Sequence, residues 1–172
     1  GLVGSEMCIR DRCFSMYTTD DLIRLSPHMI CHIISLHSFH DIFINQYLKE
    51  FDINKNQYYM LMHIFYNDSS TQSDIATACF MDRSGVSRAF GELEEKGILT
   101  RTYTEENKRA YKIDLTEKGR VWGKFFRDKE AEWENEIANE IEMSRGELLV
   151  TLERLALKAL EFDRQNVDNF KY

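Results

Sequence analysis

The stretch from Thr71 to Thr116 constrains the fold of this chain more than any other, because two helix starts and a hairpin pattern follow each other there. Thr71 can accept hydrogen bonds from the free amides of a first helical turn, which the charge of Asp74 also favours. Asp82 is a second residue of N-cap type, at the head of another amphipathic segment. The sequence therefore predicts two helices that are separated by a short turn.

The second of these helices is predicted to have two different faces. Val86, Phe90 and Leu93 fall within one narrow stripe of a 3.6-residue wheel, so we expect them to pack on the first helix. The residues of the opposite face, named here the reading face, are Ser84, Ser87, Arg88 and Gly91. A helix of this kind is able to place such a face in the major groove of DNA.

A β-hairpin is predicted after the second helix. Gly97 is a typical helix-ending residue, and residues 98–103 and 109–115 have the apolar pattern of two strands. The turn between them is residues 105–108, so Lys108 and Arg109 lie at or beside the hairpin tip. An arginine there can enter a narrow, A·T-rich minor groove.

This helix-turn-helix and hairpin resemble the winged helix-turn-helix of MarR-type (multiple-antibiotic-resistance regulator) transcription factors. The resemblance runs through DRSGVSRAFGELEEKGIL and the LTEKG segment Leu115 to Gly119. The family commonly has Asp, any residue, then Arg at the wing tip, and here these positions are Asn107, Lys108 and Arg109. Arg109 therefore matches the wing arginine, whereas Asn107 replaces the carboxylate that would orient it.

The distribution of charge agrees with a DNA-binding lobe inside an acidic protein. The net charge is -7, but Thr71 to Lys112 holds seven Lys/Arg and seven Asp/Glu, so the excess acid lies elsewhere. We count Arg101 and Lys112 among the local cations, while Glu92, Glu94 and Glu95 crowd the end of the second helix. The predicted DNA-binding residues are Arg83, Ser84, Ser87, Arg88, Lys108 and Arg109.

The predicted fold class is mainly α with a small β-hairpin wing, that is, a winged helix-turn-helix with N- and C-terminal dimerisation helices. Ser26 and Pro27 favour the start of a long helix that runs to about Glu50, and Asn54 with Gln57 favours the start of the next. We expect residues 1–15 to be a non-native or disordered extension, because they resemble translated sequencing adapter. The other predicted segments are N-terminal dimerisation helices (16–53), the DNA-binding lobe (54–116), and a C-terminal linker with dimerisation helices (117–172).

Two long helices are predicted after the wing. Thr116 caps the first, and Ser144 with Glu147 forms a capping box for the second. The first is expected to have a sparse apolar seam of Val121, Phe125, Trp133 and Ile137. The second has a regular apolar stripe, which needs a partner: Leu148, Leu149, Leu152, Leu155, Ala156, Ala159 and Leu160.

The family resemblance implies how this stripe is used and where a ligand binds. In MarR-like proteins the first and last helices of two subunits interlock, so we expect a homodimer on a pseudo-palindromic site of double-stranded DNA. A small aromatic or lipophilic effector would bind between the dimerisation region and the winged lobe. The wall residues predicted for that pocket are His37, His40, Tyr58, Tyr59 and His63.

A metal or thiol sensor is the alternative within the regulator class. His28, His32, His37 and His40 lie on one helix, but the two pairs point about 120° or more apart, so they cannot surround one metal. Cys31 lies near the position where peroxide-sensing relatives keep a reactive cysteine, yet it has no evident cationic neighbour. No metal and no cofactor is predicted.

Other function classes are disfavoured by the sequence. No apolar run approaches a length of about 18 residues, so no membrane span is expected. No nucleotide-binding loop or serine elbow is present, which argues against an enzyme. The prediction is a cytoplasmic DNA-binding regulator, a ligand-responsive repressor, and the alternative is a winged-helix protein-interaction module without DNA binding.

Overall fold

The computed structural model describes residues 28–67, 70–79, 81–103 and 111–167. This part of the chain has six helices and one antiparallel sheet of two strands, which confirms the predicted fold class. The elements in chain order are α1 (Met29–Glu50), α2 (Lys55–Tyr66), α3 (Gln72–Ala78), α4 (Arg83–Glu95), β1 (Leu99–Tyr103), β2 (Tyr111–Leu115), α5 (Glu117–Glu140) and α6 (Arg145–Val167). The chain divides into two compact units, one ending at Tyr58 and the other beginning at Tyr59.

The first unit contains α1 and the first turn of α2. Helix α1 begins at Met29 with His28 at its cap, so the prediction of a cap at Ser26 was wrong by two residues. His28 makes no side-chain capping bond, and the first turn is closed instead by the Cys31 amide donating to the His28 carbonyl at 3.0 Å. Ser26 itself lies outside the described residues.

The start of α2 is confirmed by a reciprocal pair of hydrogen bonds. The Gln57 amide donates to Asn54 Oδ1 at 3.0 Å, and the Asn54 amide donates to Gln57 Oε1 at 2.9 Å. Two orphan amides of the helix start are satisfied in this way.

Burial along α1 changes from one end to the other. Ile44 and Leu48 in the second half are buried. The large apolar residues of the first half are exposed: Met29, Ile30, Ile33, Ile34 and Leu36. This half of α1 therefore presents an apolar surface to solvent in the single chain.

The second unit builds its core around α4 and the hairpin. Helix α3 packs on α4, α4 packs on β1, β2 packs on α5, and α5 packs on α6. Val86, Phe90 and Leu93 are completely buried, as their shared stripe predicted. Ile98, Leu99, Ile113 and Leu115 are also buried, so the sheet contributes one apolar face to this core.

The buried stripe of α5 differs from the predicted seam. Val121 is 58% exposed, whereas Phe126, which was not assigned to the seam, is completely buried. The stripe begins with Gly119 and Gly123, which fit against the Ile98 carbonyl and the Phe65 ring. Because the close packing starts at two residues without side chains, a search for large apolar residues missed the first part of this stripe. The predicted Trp133 and Ile137 share the stripe and are half-buried.

Helix α6 starts at the predicted capping box. The Glu147 amide donates to Ser144 Oγ at 3.2 Å, and the Ser144 amide donates to Glu147 Oε2 at 2.9 Å. Arg145 is bound to Glu134 at 2.6 Å and so ties the start of α6 to α5. Leu152, Leu155 and Leu160 are exposed in the single chain.

Candidate nucleic-acid interface

Helix α3 is held in place by hydrogen bonds at its start. The Asp74 amide donates to Thr71 Oγ1 at 3.2 Å, and the Thr71 amide donates to Asp74 Oδ2 at 2.8 Å. Hydrogen bonding from Thr71 lowers the pKa of the Asp74 carboxyl, which is therefore ionised at neutral pH. Gln72 Nε2 donates to the Arg83 carbonyl at 3.2 Å, a contact that sequence reasoning missed and that links the starts of α3 and α4.

Helix α4 presents its polar face on the side opposite its buried face. Asp82 Oδ1 accepts from the Gly85 amide at 2.8 Å and fixes the first turn, as predicted. The buried positions are Val86, Ala89, Phe90 and Leu93, at the helical spacing i, i+3, i+4 and i+7. Ser84, Ser87, Arg88 and Gly91 repeat the same spacing on the other side, where the two serines and Arg88 are exposed.

The two arginines of α4 are available to a partner. Arg83 and Arg88 are both exposed. Among the residues that the structure describes, no carboxylate lies within ion-pair distance of either guanidinium. Two cations on one exposed helix can therefore bind an anionic or hydrogen-bonding partner without first breaking an intramolecular pair.

Gly91 leaves an open space beside these side chains. A Cβ atom added there would meet nothing within 4 Å. No packing contact inside the described part of the lobe therefore requires a glycine. This open space allows close approach of a bulky partner.

The hairpin is joined to α4 by a tight turn. Gly97 has a φ of 67°, a conformation that side chains disfavour. Thr116 Oγ1 donates to the Gly97 carbonyl at 2.6 Å and accepts from the Gly119 amide at 3.1 Å, so one side chain joins the turn, the sheet and α5. The strands pair with Arg101 opposite Ile113 and Thr102 opposite Lys112.

Two cations that the sequence placed among the local positive charges have partners inside the lobe. Arg101 is bound to Glu94, and Lys112 Nζ lies 2.9 Å from Asp114 Oδ1. Arg101 lies on the hairpin, as counted from the sequence, but its charge is paired inside the lobe, unlike those of Arg83 and Arg88. Glu94 and Arg101 lie in different elements, so no local sequence signal indicates the pair.

The hairpin tip lies outside the described residues. Lys108 and Arg109 therefore stay sequence predictions, as does the replacement of the family's aspartate by Asn107. The four predicted DNA-binding residues on α4, by contrast, share one helix and its exposed surface.

The predicted effector-pocket residues divide between the two units. His37, His40 and Tyr58 belong to the first unit, and Tyr59 and His63 belong to the second. Tyr58 is buried and His37 is exposed, while the other three are half-buried. His63 Nε2 lies 3.2 Å from Ser70 Oγ, a contact that supports the turn before α3.

Histidine and cysteine form no cluster in the described part of the chain. Within it, no three histidine, cysteine or acidic side chains are grouped so that they could hold a metal ion. Cys31 and Cys79 are both free and half-buried there. Burial raises the pKa of the Cys79 thiol, which lowers its reactivity at neutral pH. None of the helices over the described residues combines the length and apolar character of a membrane span.

A helix-turn-helix followed by an antiparallel hairpin, with a polar face turned outward on its second helix, is the winged helix-turn-helix class. Residues 51–110 of this chain match the model of the MarR family. The match covers this lobe, which therefore resembles the DNA-binding part of the MarR family.

The relatives found by sequence are helix-turn-helix transcriptional regulators. YybA of Bacillus subtilis is 32% identical over 98 residues, which cover 57% of this chain and 65% of YybA. Hpr of Halalkalibacterium halodurans is 36% identical over 74 residues, which cover 43% of this chain and 38% of Hpr. SarZ of Staphylococcus saprophyticus is 27% identical over 121 residues, or 70% of this chain and 80% of SarZ. The matched region thus spans less than two thirds of YybA and of Hpr.

The solved structures that resemble this chain share its fold. The crystal structure of MarR aligns with a TM-score of 0.63 and 24% identity over 78% of this chain and 99% of that protein. MepR of S. aureus in its DNA-binding conformation aligns with a TM-score of 0.62 and 24% identity over 85% of this chain and 99% of MepR.

Proposed function

We propose that this protein is a sequence-specific DNA-binding transcriptional regulator. The observation that carries the proposal is the exposed face of α4, where Ser84, Ser87 and Arg88 lie opposite a fully buried stripe. A guanidinium in the middle of a helix that enters the major groove can pair with both acceptors of a guanine edge. The serine hydroxyls beside it can donate to bases or to phosphates.

The structural relatives support DNA as the partner. MepR has been solved as a DNA complex, and FabT of Streptococcus pneumoniae has been solved in complex with DNA. The FabT structure aligns with this chain at a TM-score of 0.59. We propose that α4 enters the major groove and that the hairpin, with Lys108 and Arg109, contacts the adjacent backbone or minor groove.

The proposed active species is a homodimer on a pseudo-palindromic operator. The exposed apolar residues of α6 and of the first half of α1 support this assembly, because a monomer seldom leaves such large apolar patches in water. Leu155 is 52% exposed and Ile34 is 58% exposed in the single chain. Two lobes in one dimer would place two copies of α4 on successive major grooves.

We further propose that the protein is a repressor that responds to a small aromatic or lipophilic effector in the cytoplasm. This finer part of the proposal rests on family resemblance and on the half-buried ring side chains His40, Tyr59 and His63. An effector would act by binding more tightly to one arrangement of the two lobes than to the other.

One acidic side chain of α4 is used inside the lobe, which weakens the case for a protein-docking module. Glu94 accepts hydrogen bonds from Arg101, so its carboxylate is part of the lobe and not an open acidic contact. Arg83 and Arg88 remain exposed on the same helix. Exposed cations beside a neutralised carboxylate favour a polyanionic partner.

The test is binding of the purified protein to labelled DNA from upstream of its own coding sequence, with a scrambled fragment of equal length and composition as control. We expect tighter binding to the natural fragment, saturation at two chains per site, and a steep loss of affinity as salt rises. Equal affinity for the two fragments at every salt concentration would remove the claim of sequence specificity. Absence of binding to either would favour the protein-docking function.

A further inference from the structure

A forked ion pair joins the end of α4 to the first strand of the hairpin. Arg101 Nε donates to Glu94 Oε2 at 3.0 Å, and Arg101 Nη2 donates to the same oxygen. The other carboxylate oxygen, Oε1, accepts from the backbone amide of Arg101 at 3.3 Å. One carboxylate therefore binds both the side chain and the main chain of a single strand residue.

The pair lies where α4 and the sheet meet. Glu94 is in the last turn of α4, and Arg101 is the central residue of β1. Strand alternation puts Arg101 on the same face of the sheet as Leu99 and Ile113, which are buried. The side chains of Arg101 and Glu94 are 23% and 36% exposed, so the pair borders the core and is partly shielded from solvent.

The bonds of this pair have a fixed direction, unlike the apolar contacts beside it. Burial of Leu93 and Leu99 stabilises the contact of helix and strand, but such contacts tolerate small rotations. A planar guanidinium bound to a carboxylate is held in both distance and orientation. Hydrogen bonding from the Arg101 side chain lowers the pKa of the Glu94 carboxyl, so the charged pair is maintained at neutral pH.

We infer that Glu94 and Arg101 are positioning residues, which set the direction of the hairpin relative to α4 so that both elements reach one DNA site. This inference rests on the proposed DNA-binding function. It assigns to Glu94 a role in binding DNA although its charge has the same sign as the phosphates.

Two neighbouring glutamates give a test in which a pure charge effect and a positioning effect change DNA affinity in opposite directions. Glu94→Gln and Glu95→Gln each remove one negative charge at the end of α4, and Glu95 is exposed. Lost repulsion alone would tighten DNA binding in both variants. If Glu94 acts by positioning the hairpin, Glu94→Gln should weaken DNA binding by roughly 2- to 30-fold. This is the size of effect that residues without ligand contact have on the energetic coupling between two sites. Glu95→Gln should bind as well as the unmodified protein or better.

The measurement is a pair of protection experiments on the natural upstream fragment with full-length protein. Methylation of guanine N7 reports the major groove, and hydroxyl-radical cleavage reports the backbone along the flanks. For Glu94→Gln we expect guanine protection to persist and flank protection to be lost at equal occupancy. The inference would be overturned if Glu94→Gln bound DNA more tightly, as Glu95→Gln is expected to do, or if it kept both guanine and flank protection. The proposed function would stay intact in either case. If the unmodified protein protects neither, the proposed function fails, and the inference fails with it.

Two further variants separate positioning from loss of folding. Arg101→Lys keeps the charge but loses the forked donor, and it should lose flank protection as Glu94→Gln does. The exchange of partners, Glu94→Arg with Arg101→Glu, should recover part of the flank protection because it restores an ion pair between the same elements. Thermal unfolding of each variant is recorded first. If flank protection follows only the melting temperature across the set, the pair is structural and the inference is wrong.

Discussion

At the scale of single residues, three glycines show how differently one residue type can be constrained. Gly97 has a φ of 67°, which side chains disfavour. Gly119 lies so close to the Ile98 carbonyl that a Cβ would overlap with it, while Gly91 has open space around it. Backbone conformation requires the first glycine and packing requires the second, but neither requires the third.

Alanine at the two helical glycines should change stability in opposite directions. Gly119→Ala should lower the free energy of unfolding by about 1 to 3 kcal/mol, because the added methyl meets a backbone oxygen that cannot move cheaply. Gly91→Ala should raise it by up to about 1 kcal/mol, since alanine has the higher helix propensity and nothing lies in its way. Urea unfolding of both variants measures this, and equal shifts would contradict the packing described for α5.

The same Gly91→Ala variant also tests close approach at the reading face. We expect its affinity for the natural DNA fragment to fall although its stability rises, because the methyl group would stand between α4 and the groove floor. Fluorescence anisotropy on that fragment is the measurement. Unchanged or tighter binding would show that the Gly91 backbone is not near the DNA.

At the scale of elements, the sequence predicted best what depends on local chemistry. The caps at Thr71, Asp82, Thr116 and Ser144 were all predicted, because each helix start is decided within four residues. The hairpin and the exposed face of α4 were also predicted, since they follow from the same short-range periods.

Tertiary contacts account for two features that the sequence did not predict. Val121 is exposed and Phe126 is buried because glycines, not large side chains, bring α5 close to its neighbours. Arg101 was counted with the local cations, yet its partner is in another element. A helical wheel or a count of charges gives no distances between residues of different elements. The exposed face of α4 could therefore be predicted from the sequence, but the pairing of charges around it could not.

Two capping carboxylates should make stability depend on pH. Hydrogen bonds from Thr71 and Ser144 lower the pKa of Asp74 and of Glu147 in the folded protein. A lowered pKa contributes stability that is complete above the unfolded value, about 3.9 for Asp and 4.3 for Glu, and is lost as pH falls through the folded value.

The corresponding variants should flatten this acid dependence. Asp74→Asn with Glu147→Gln leaves no titrating group at either cap, so its unfolding free energy should fall less steeply below about pH 4.5. Chemical unfolding from pH 6 to pH 3 compares the slopes, with exposed Glu136→Gln as the control. A variant with the same slope as the parent would show that these caps do not contribute.

At the scale of the whole molecule, the exposed apolar surface of α6 predicts self-association. Leu155→Asp places a charge in the predicted leucine stripe, where the parent side chain is already 52% exposed in the single chain. It should therefore separate the dimer with little effect on the fold of each subunit. Arg154→Asp introduces the same carboxylate one position away on another side of α6 and serves as the control.

Sedimentation velocity distinguishes the outcomes. We expect dimers of the parent and of Arg154→Asp, and monomers of Leu155→Asp under the same conditions. The monomer should also lose affinity for the natural DNA fragment, because one lobe contacts only half of a palindromic site. Dimers of Leu155→Asp would place the interface elsewhere.

The central claim is that α4 reads DNA sequence through its exposed face, and Arg88→Ala tests it most directly. Affinity is measured for the natural upstream fragment and for scrambled DNA, with exposed Lys124→Ala as a matched loss of one cation on α5. We predict that Arg88→Ala weakens binding to the natural fragment by roughly 1 to 3 kcal/mol and binding to scrambled DNA by much less. Lys124→Ala should change neither affinity by a comparable amount. Equal losses on the two DNAs for Arg88→Ala would contradict the claim, since Arg88 would then contact only phosphate.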